Sequence, residues 1–189
     1  MESFRPLFQL ICKYCESKNY GGKFKQITVE GGKQLTGRYI LVDSGAVTPS
    51  HDALHGFCKY PGFPIDPKGQ SLTERDYERD LFAQDFIQQI AHNYDSRALQ
   101  SLVVVSVDGL VLSGNARTMA GELAARDNTD GLYIDYLKNY CSNYGFTSDQ
   151  VNEFEHPRLI FQLIEVIPYS ARTFTIFNHE EINKKQIKL

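Results

Sequence analysis

The hydrophobic pattern changes period twice between Val103 and Ala125. Val103, Val104 and Val105 form a continuous apolar run, the pattern of a buried strand, with Asp108 and Gly109 as a hairpin turn and Leu110 to Leu112 as the return strand. Ser113, Gly114 and Asn115 then open a helix that carries Met119 and Leu123 on one face. Elsewhere the pattern predicts strands at Phe24–Val29, Arg38–Asp43 and Arg158–Ile167. It predicts helices at Pro6–Ser17, Tyr77–Tyr94, Ala116–Arg126, Asp130–Tyr144 and Ser148–Glu153. Strands and helices interleave, so the expected fold is a mixed α/β domain.

Two stretches lack a clean period. Gly21-Gly22 and Gly31-Gly32 punctuate the first 36 residues, which read as an accessory segment forming a hairpin or a loose arm. From Thr48 to Thr73 a proline- and glycine-rich loop holds Phe57, Tyr60 and Phe63, more aromatic than a linker and suited to covering a cleft. The helix GLYIDYLKNYCSNYG sets Tyr133, Leu137, Tyr140 and Tyr144 on one stripe, which reads as packing rather than as a base-stacking surface.

Composition narrows the class. At 189 residues and 42% hydrophobic the chain can bury one good core without metals or disulfides. Its 20 basic and 23 acidic residues argue against a whole-surface attraction to nucleic acid. Any such contact is local, the obvious source being Lys184, Lys185 and Lys188 in a basic tail over 184–189, which reads equally as a solvated chain end. No apolar run approaches the roughly 18 residues a membrane helix needs, and four cysteines with no secretory signal before them point to a reducing, cytoplasmic setting. Cys12 and Cys15 have metal-ligand spacing, with His51, His55 and Cys58 as further ligands. A second CxxC or a matching HxxxH is missing, so no metal is expected and Cys12 reads as packing.

The chemistry concentrates at the glycine junction. A strand, a glycine turn and a helix start aim several backbone N–H groups at one point, which favours an anion, most often a phosphate. Gly114, Asn115, Arg117 and Thr118 are the expected phosphate contacts, although glycine before a helix is also an ordinary way to turn a corner. The junction has neither the P-loop nor the dinucleotide-fold glycine spacing. His51, with Ser50 before it and Asp52 after it, can orient an imidazole for acid or base work, or simply satisfy loop backbone. Arg75 and Arg79, one turn apart at the expected helix start, suit bidentate phosphate contact; Glu74, Asp76 and Asp80 beside them offer a salt-bridge explanation instead.

The order of these parts resembles the N-terminal domain of the chromosome-partition protein ParB and its relatives, the ParB/sulfiredoxin superfamily. In that family an arginine-containing segment precedes a helix, a strand and hairpin follow, and a Gly-x-x-Arg turn enters the next helix. The matching segments here are GQSLTERDYERD, LFAQDFIQQIAHNY, SLVVVSVDGLVLS and GNARTMA, with Gly114 and Arg117 at the glycine and final arginine of the turn. The likeness is closer to the DdrB-like ParB branch of polyvalent proteins from phages and conjugative elements, whose turn is Gly-Asn-x-Arg-Thr. GRYILVDSGAVTPSHDA, with Ser50 and His51, and EHPRLIFQLI are also similar to it, so the likeness spans roughly 37–183.

The resemblance implies a small mixed sheet with packed helices that binds a nucleotide or nucleic-acid phosphate in the DNA transactions of a mobile genetic element. A nucleoside triphosphate with Mg²⁺ is the cofactor it suggests, and other proteins or domains of the element are the partners. Ser50, His51, Arg75, Arg79 and Asp108 are the further residues expected around the pocket. Because family members are usually much longer, it also implies an isolated domain or a short stand-alone relative. Asn115 and Ala116 stand where true ParB has Glu and Arg, which counts against ParB-type CTP hydrolysis, and the turn lacks the cysteine of sulfiredoxins. One alternative is a metal-dependent phosphotransferase or nuclease using the same pocket, with the metal held by an acidic residue; the acidic base that free-serine kinases of the superfamily need has Glu30, Asp43 and Asp108 as candidates by position only. A non-catalytic interaction module with a decayed pocket is the remaining alternative.

Overall fold

Two antiparallel ladders build one side of the main sheet: β1 (Asn19–Thr28) pairs with β2 (Gln34–Asp43), and β2 with β7 (Pro157–Leu163). The computed structural model describes residues 14–73, 75–99 and 102–178. On its other edge β7 pairs in parallel with β5 (Val104–Val105), which turns through Asp108-Gly109 into antiparallel β6 (Val111–Ser113). The sheet is mixed and five-stranded, in the order β1-β2-β7-β5-β6, and a separate two-stranded ladder joins β3 (His51–Asp52) to β4 (Cys58–Lys59). This is the α/β fold that the alternation of apolar patterns predicts.

Alternation along the central strands divides the core. Leu41, Leu159 and Phe161 share one sheet face, and Ile40, Val42 and Ile160 the other, as successive residues of a strand must. α1 (Leu81–His92), α2 (Asn115–Asp127), α3 (Gly131–Tyr144) and α4 (Ser148–Asn152) gather around a cluster that includes Ile87, Met119, Leu137 and Val151. A second cluster, around Phe161, Leu163, Phe174 and Phe177, is closed by α5 (Ala171–Asn178). Gly37 allows the close approach of β2 and β7 there: a Cβ at this position would lie 2.4 Å from Phe161 Cε1 and 2.6 Å from the Gln162 carbonyl oxygen.

Several sequence expectations change. The segment expected as accessory supplies β1, which starts at Asn19 and runs across a bulge between Gly21 and Phe24, so residues 19–36 belong to the main sheet. The helix expected from Tyr77 begins at Leu81, because the Asp80 side chain caps it by accepting from Ala83 N at 3.0 Å. Arg75 and Arg79 therefore precede the helix instead of sharing its first turn. In the loop 48–73, Phe57 and Phe63 are buried in the core rather than covering a cleft. On α3 the stripe splits: Tyr133 and Leu137 are buried, whereas Tyr140 is 42% exposed and stacks on Tyr136 with ring centroids 4.3 Å apart. Helix α5 has no counterpart in the sequence reading, which ends its last element at Ile167. The expected helix at Pro6–Ser17 lies mostly outside the described residues, as do Cys12 and the basic tail.

Candidate functional site

The residues after Ala46 run alongside β6 toward the start of α2. Thr48 N donates to the Gly109 carbonyl and Val111 N to the Thr48 carbonyl, each at 2.9 Å. This delivers Ser50, whose backbone N–H donates to Asn115 Oδ1 at 2.7 Å, so Asn115 is buried as a brace between the loop and the helix. His51 is fully buried; its Nδ1 lies 3.0 Å from Ser50 Oγ and its Nε2 3.8 Å from Asp76 Oδ1. Both Nε2 and Asp76 Oδ1 lack a hydrogen-bond partner among the described residues. The Tyr77 ring meets the imidazole edge-on at 5.3 Å.

Burial lowers the His51 pKa below the usual histidine value, against the upward pull of Asp76 and Glu78, while Lys59 reinforces the fall. The unfolded state thus takes up the proton more readily, and this contribution to stability is complete above about pH 6.5 and declines as pH falls below it. We expect the melting temperature of the protein to fall between pH 7 and pH 5 more steeply than that of His51→Gln. Parallel melting profiles of the two proteins across this range would refute the assignment.

Gly114 forms the corner. Its φ is +92°, it caps α2 with no side-chain hydrogen bond, and a Cβ there would stand 3.1 Å from Val103 Cγ2 and 3.2 Å from Val103 Cα. Glycine is needed for both reasons. Thr118 N and Oγ1 both donate to the Gly114 carbonyl, at 2.9 and 3.1 Å, which locks the first helical turn. The Arg117 guanidinium folds back toward the corner, with one nitrogen 3.5 Å from the point a Cβ of residue 114 would occupy.

Arg117 forms part of the wall of two cavities. The inner one, of only about 30 Å³, is lined by Asp43, Ser44, Thr118, Glu122, Tyr133 and Arg158 among others. The outer one, of about 400 Å³, lies between α1 and the short 3₁₀ helix Ser96–Leu99. Burial depresses the Arg117 pKa, opposed by Tyr94 and Tyr133. Behind it, Arg158 donates to the Gly121 carbonyl at 2.6 Å and to Asp130 Oδ2 at 2.8 Å, and its guanidinium lies 5.0 Å from the Tyr94 ring centre and 5.4 Å from that of Tyr133. His156 Nδ1 meets the same Asp130 oxygen at 3.0 Å.

The structure brings Gly114, Arg117 and Thr118 together at the corner, with Asn115 turned into the interior. Ser50 and His51 adjoin this corner through Asn115, yet neither lines the two cavities. Arg75 is exposed, and Arg79 Nε lies 3.8 Å from Asp76 Oδ2, so these arginines stand on the His51 side and outside both cavities. Asp108 sits at the opposite end of β6 from Gly114, bonded by Ser106 and by the Tyr169 hydroxyl, and does not join the pocket. Of the three acids considered for catalysis, Asp43 reaches the inner cavity; Glu30 lies in the β1–β2 turn.

Among the described residues no three His, Cys, Asp or Glu side chains converge as a metal site would require, and no helix is long and apolar enough to cross a membrane. The sequence reading missed Arg158, although a lone arginine in the apolar run PRLIFQL is a visible signal of a paired buried charge. It also missed Tyr94 and Asp130, which topology alone brings to Arg158. No known family model matches the chain, and the comparisons with curated proteins and with solved structures likewise return no match.

Proposed function

We propose that the chain is a ParB-like domain that binds the phosphate of a nucleotide or nucleic acid at the Gly114 corner. The observation that carries this reading is Arg117, held beside an N-cap with no side-chain cap and forming part of the wall of both an inner and an outer cavity. First-turn N–H groups and a guanidinium then act on the same anion, one as an oriented dipole and the other as a fixed charge. Thr118 holds the turn in shape and Asn115 ties it to the Ser50 loop. The setting we propose is the DNA transactions of a mobile genetic element.

A second reading, metal-dependent phosphotransfer or phosphodiester cleavage, is favoured by one observation: Asp43 lines the inner cavity with Arg117. Asp43 Oδ1 accepts the backbone N–H groups of Ser44 and His156, at 3.0 and 2.8 Å. Its carboxylate is thereby fixed in place, and turnover that requires Mg²⁺ and fails in Asp43→Asn would establish this reading.

Thermal unfolding with CTP, ATP, GTP, UTP or short DNA, with and without Mg²⁺, tests the binding proposal. At a hundredfold excess over Kd a ligand adds about 2.7 kcal/mol, or roughly 5–11 °C for a chain of this size. The shift is expected with one ligand class and is expected to vanish in Arg117→Met. No shift with any of them, or an equal shift in the variant, would reject the corner as the site.

A further inference from the structure

Helix α1 carries a second apolar stripe besides the one that packs into the core. Ala83, Ile87 and Ala91 are buried, whereas Phe82 is 89% exposed and Phe86, four residues on along a different side of the helix, is 55% exposed. Gln89 and the cap residue Asn93 continue that side toward the C-terminal end, so the stripe carries no charge. Beside it there, Ile90 and Ala98 wall the groove between α1 and the 3₁₀ helix Ser96–Leu99. Open aromatic rings on an uncharged strip have the composition of an interface centre, not of a solvated helix face.

We propose that this stripe joins two copies of the chain as an antiparallel pair, with Phe86 at the two-fold axis. A helix rises 1.5 Å per residue, so Phe82 and Ile90 lie about 6 Å to either side of Phe86. An antiparallel copy thus brings its protruding Phe82 to the groove beside Ile90 and accepts the other Phe82 in return, the self-complementarity that a two-fold contact requires. The charges at the helix ends agree with this. One ion pair, Arg79–Asp76, precedes α1 and another, Arg97–Asp95, follows it. Antiparallel packing sets the two pairs side by side, where each arginine meets a carboxylate of the other copy. A fully open aromatic side chain presents about 200 Å², so Phe82 and Phe86 supply roughly 300 Å² per copy and about 600 Å² to the pair. That is under half of the roughly 1,600 Å² of a standard interface, and with the groove walls around it suits a reversible dimer. The contact needs no ligand at the Gly114 corner.

Sedimentation velocity of the whole chain over a wide range of concentrations tests the contact. The average mass is expected to rise with concentration from one chain toward two. Phe82→Ser is expected to weaken association by roughly thirtyfold or more, the loss of a central aromatic anchor. Phe82 lies almost wholly in solvent, so this substitution leaves the fold intact, which a melting curve verifies. Asp85 separates a two-fold pair from general stickiness. It is exposed, flanks the stripe and stands one residue from the axis, so in the pair the two Asp85 carboxylates lie on the same rim and repel. Asp85→Asn is therefore expected to tighten the dimer, and most at low salt. A mass that stays at one chain throughout would overturn the proposal and leave Phe82 to a different protein. A dimer that survives Phe82→Ser unchanged, or that Asp85→Asn fails to tighten, would overturn the arrangement equally.

Discussion

Replacing Arg158 with methionine is expected to lower the unfolding free energy by about 3–5 kcal/mol, the cost of breaking a buried ion pair from one side. For a chain of this length that corresponds to a fall of roughly 6–20 °C in melting temperature. The reasons are local. Arg158 is 9% exposed, and it ties β7 to α2 through the Gly121 carbonyl and to the residue preceding α3 through Asp130. Methionine preserves much of the packing between Tyr94 and Tyr133 but leaves the Asp130 carboxylate, itself 2% exposed, without its main counter-charge. Asp130→Asn in the Arg158→Met background should therefore recover part of the loss, giving a double variant more stable than Arg158→Met alone. Two additive losses in chemical denaturation would show that the two side chains do not act as a pair.

Truncating Phe161 to alanine is expected to cost a similar 3–5 kcal/mol, the range for a large aromatic removed from a core. Phe161 is fully buried in the central strand, its ring 5.5 Å from that of Tyr39 and against the bare Cα of Gly37. Gly37 and Phe161 are diagonal neighbours across the β2–β7 ladder, since Gly37 pairs with Leu163 and Tyr39 with Phe161. The ring fills the space that the glycine leaves, an arrangement that stabilises strands otherwise weakened by glycine. Gly37→Ala in the native background should cost about 1–3 kcal/mol by overpacking. In the Phe161→Ala background the cost should shrink, because the Cε1 and Cζ contacts have gone while the Gln162 carbonyl contact stays. Equal costs in the two backgrounds would place the clash at the carbonyl instead of the ring.

The elements that were legible are those whose period is sustained. α2 and α3 were located to within a residue or two, and the β5–β6 hairpin was visible from its Asp108-Gly109 turn and flanking apolar runs. The start of α1 is not legible because the apolar pattern extends back through Tyr77, while the side chain that caps the helix, Asp80, acts through one hydrogen bond that periodicity does not register. At the site, Gly114, Arg117 and Thr118 are neighbours in sequence and were found as a motif. Arg158, Tyr94 and Asp130 come from three separate segments, and their meeting is a property of the sheet order. Asp108 lies near Gly114 in sequence, but β6 holds it a strand's length away.

Strand β7, encoded after all four of its companions, takes the middle place in the sheet between β2 and β5. During synthesis the β1–β2 ladder and the β5–β6 hairpin therefore have no common edge until residues 157–163 leave the ribosome. Until that moment β2 and β5 present open edges, which are the surfaces most prone to pairing with other chains. The last strand to appear closes both at once, so assembly of the sheet is a late, non-local event, and a nascent chain arrested before Pro157 would carry two unjoined halves with exposed backbone donors and acceptors.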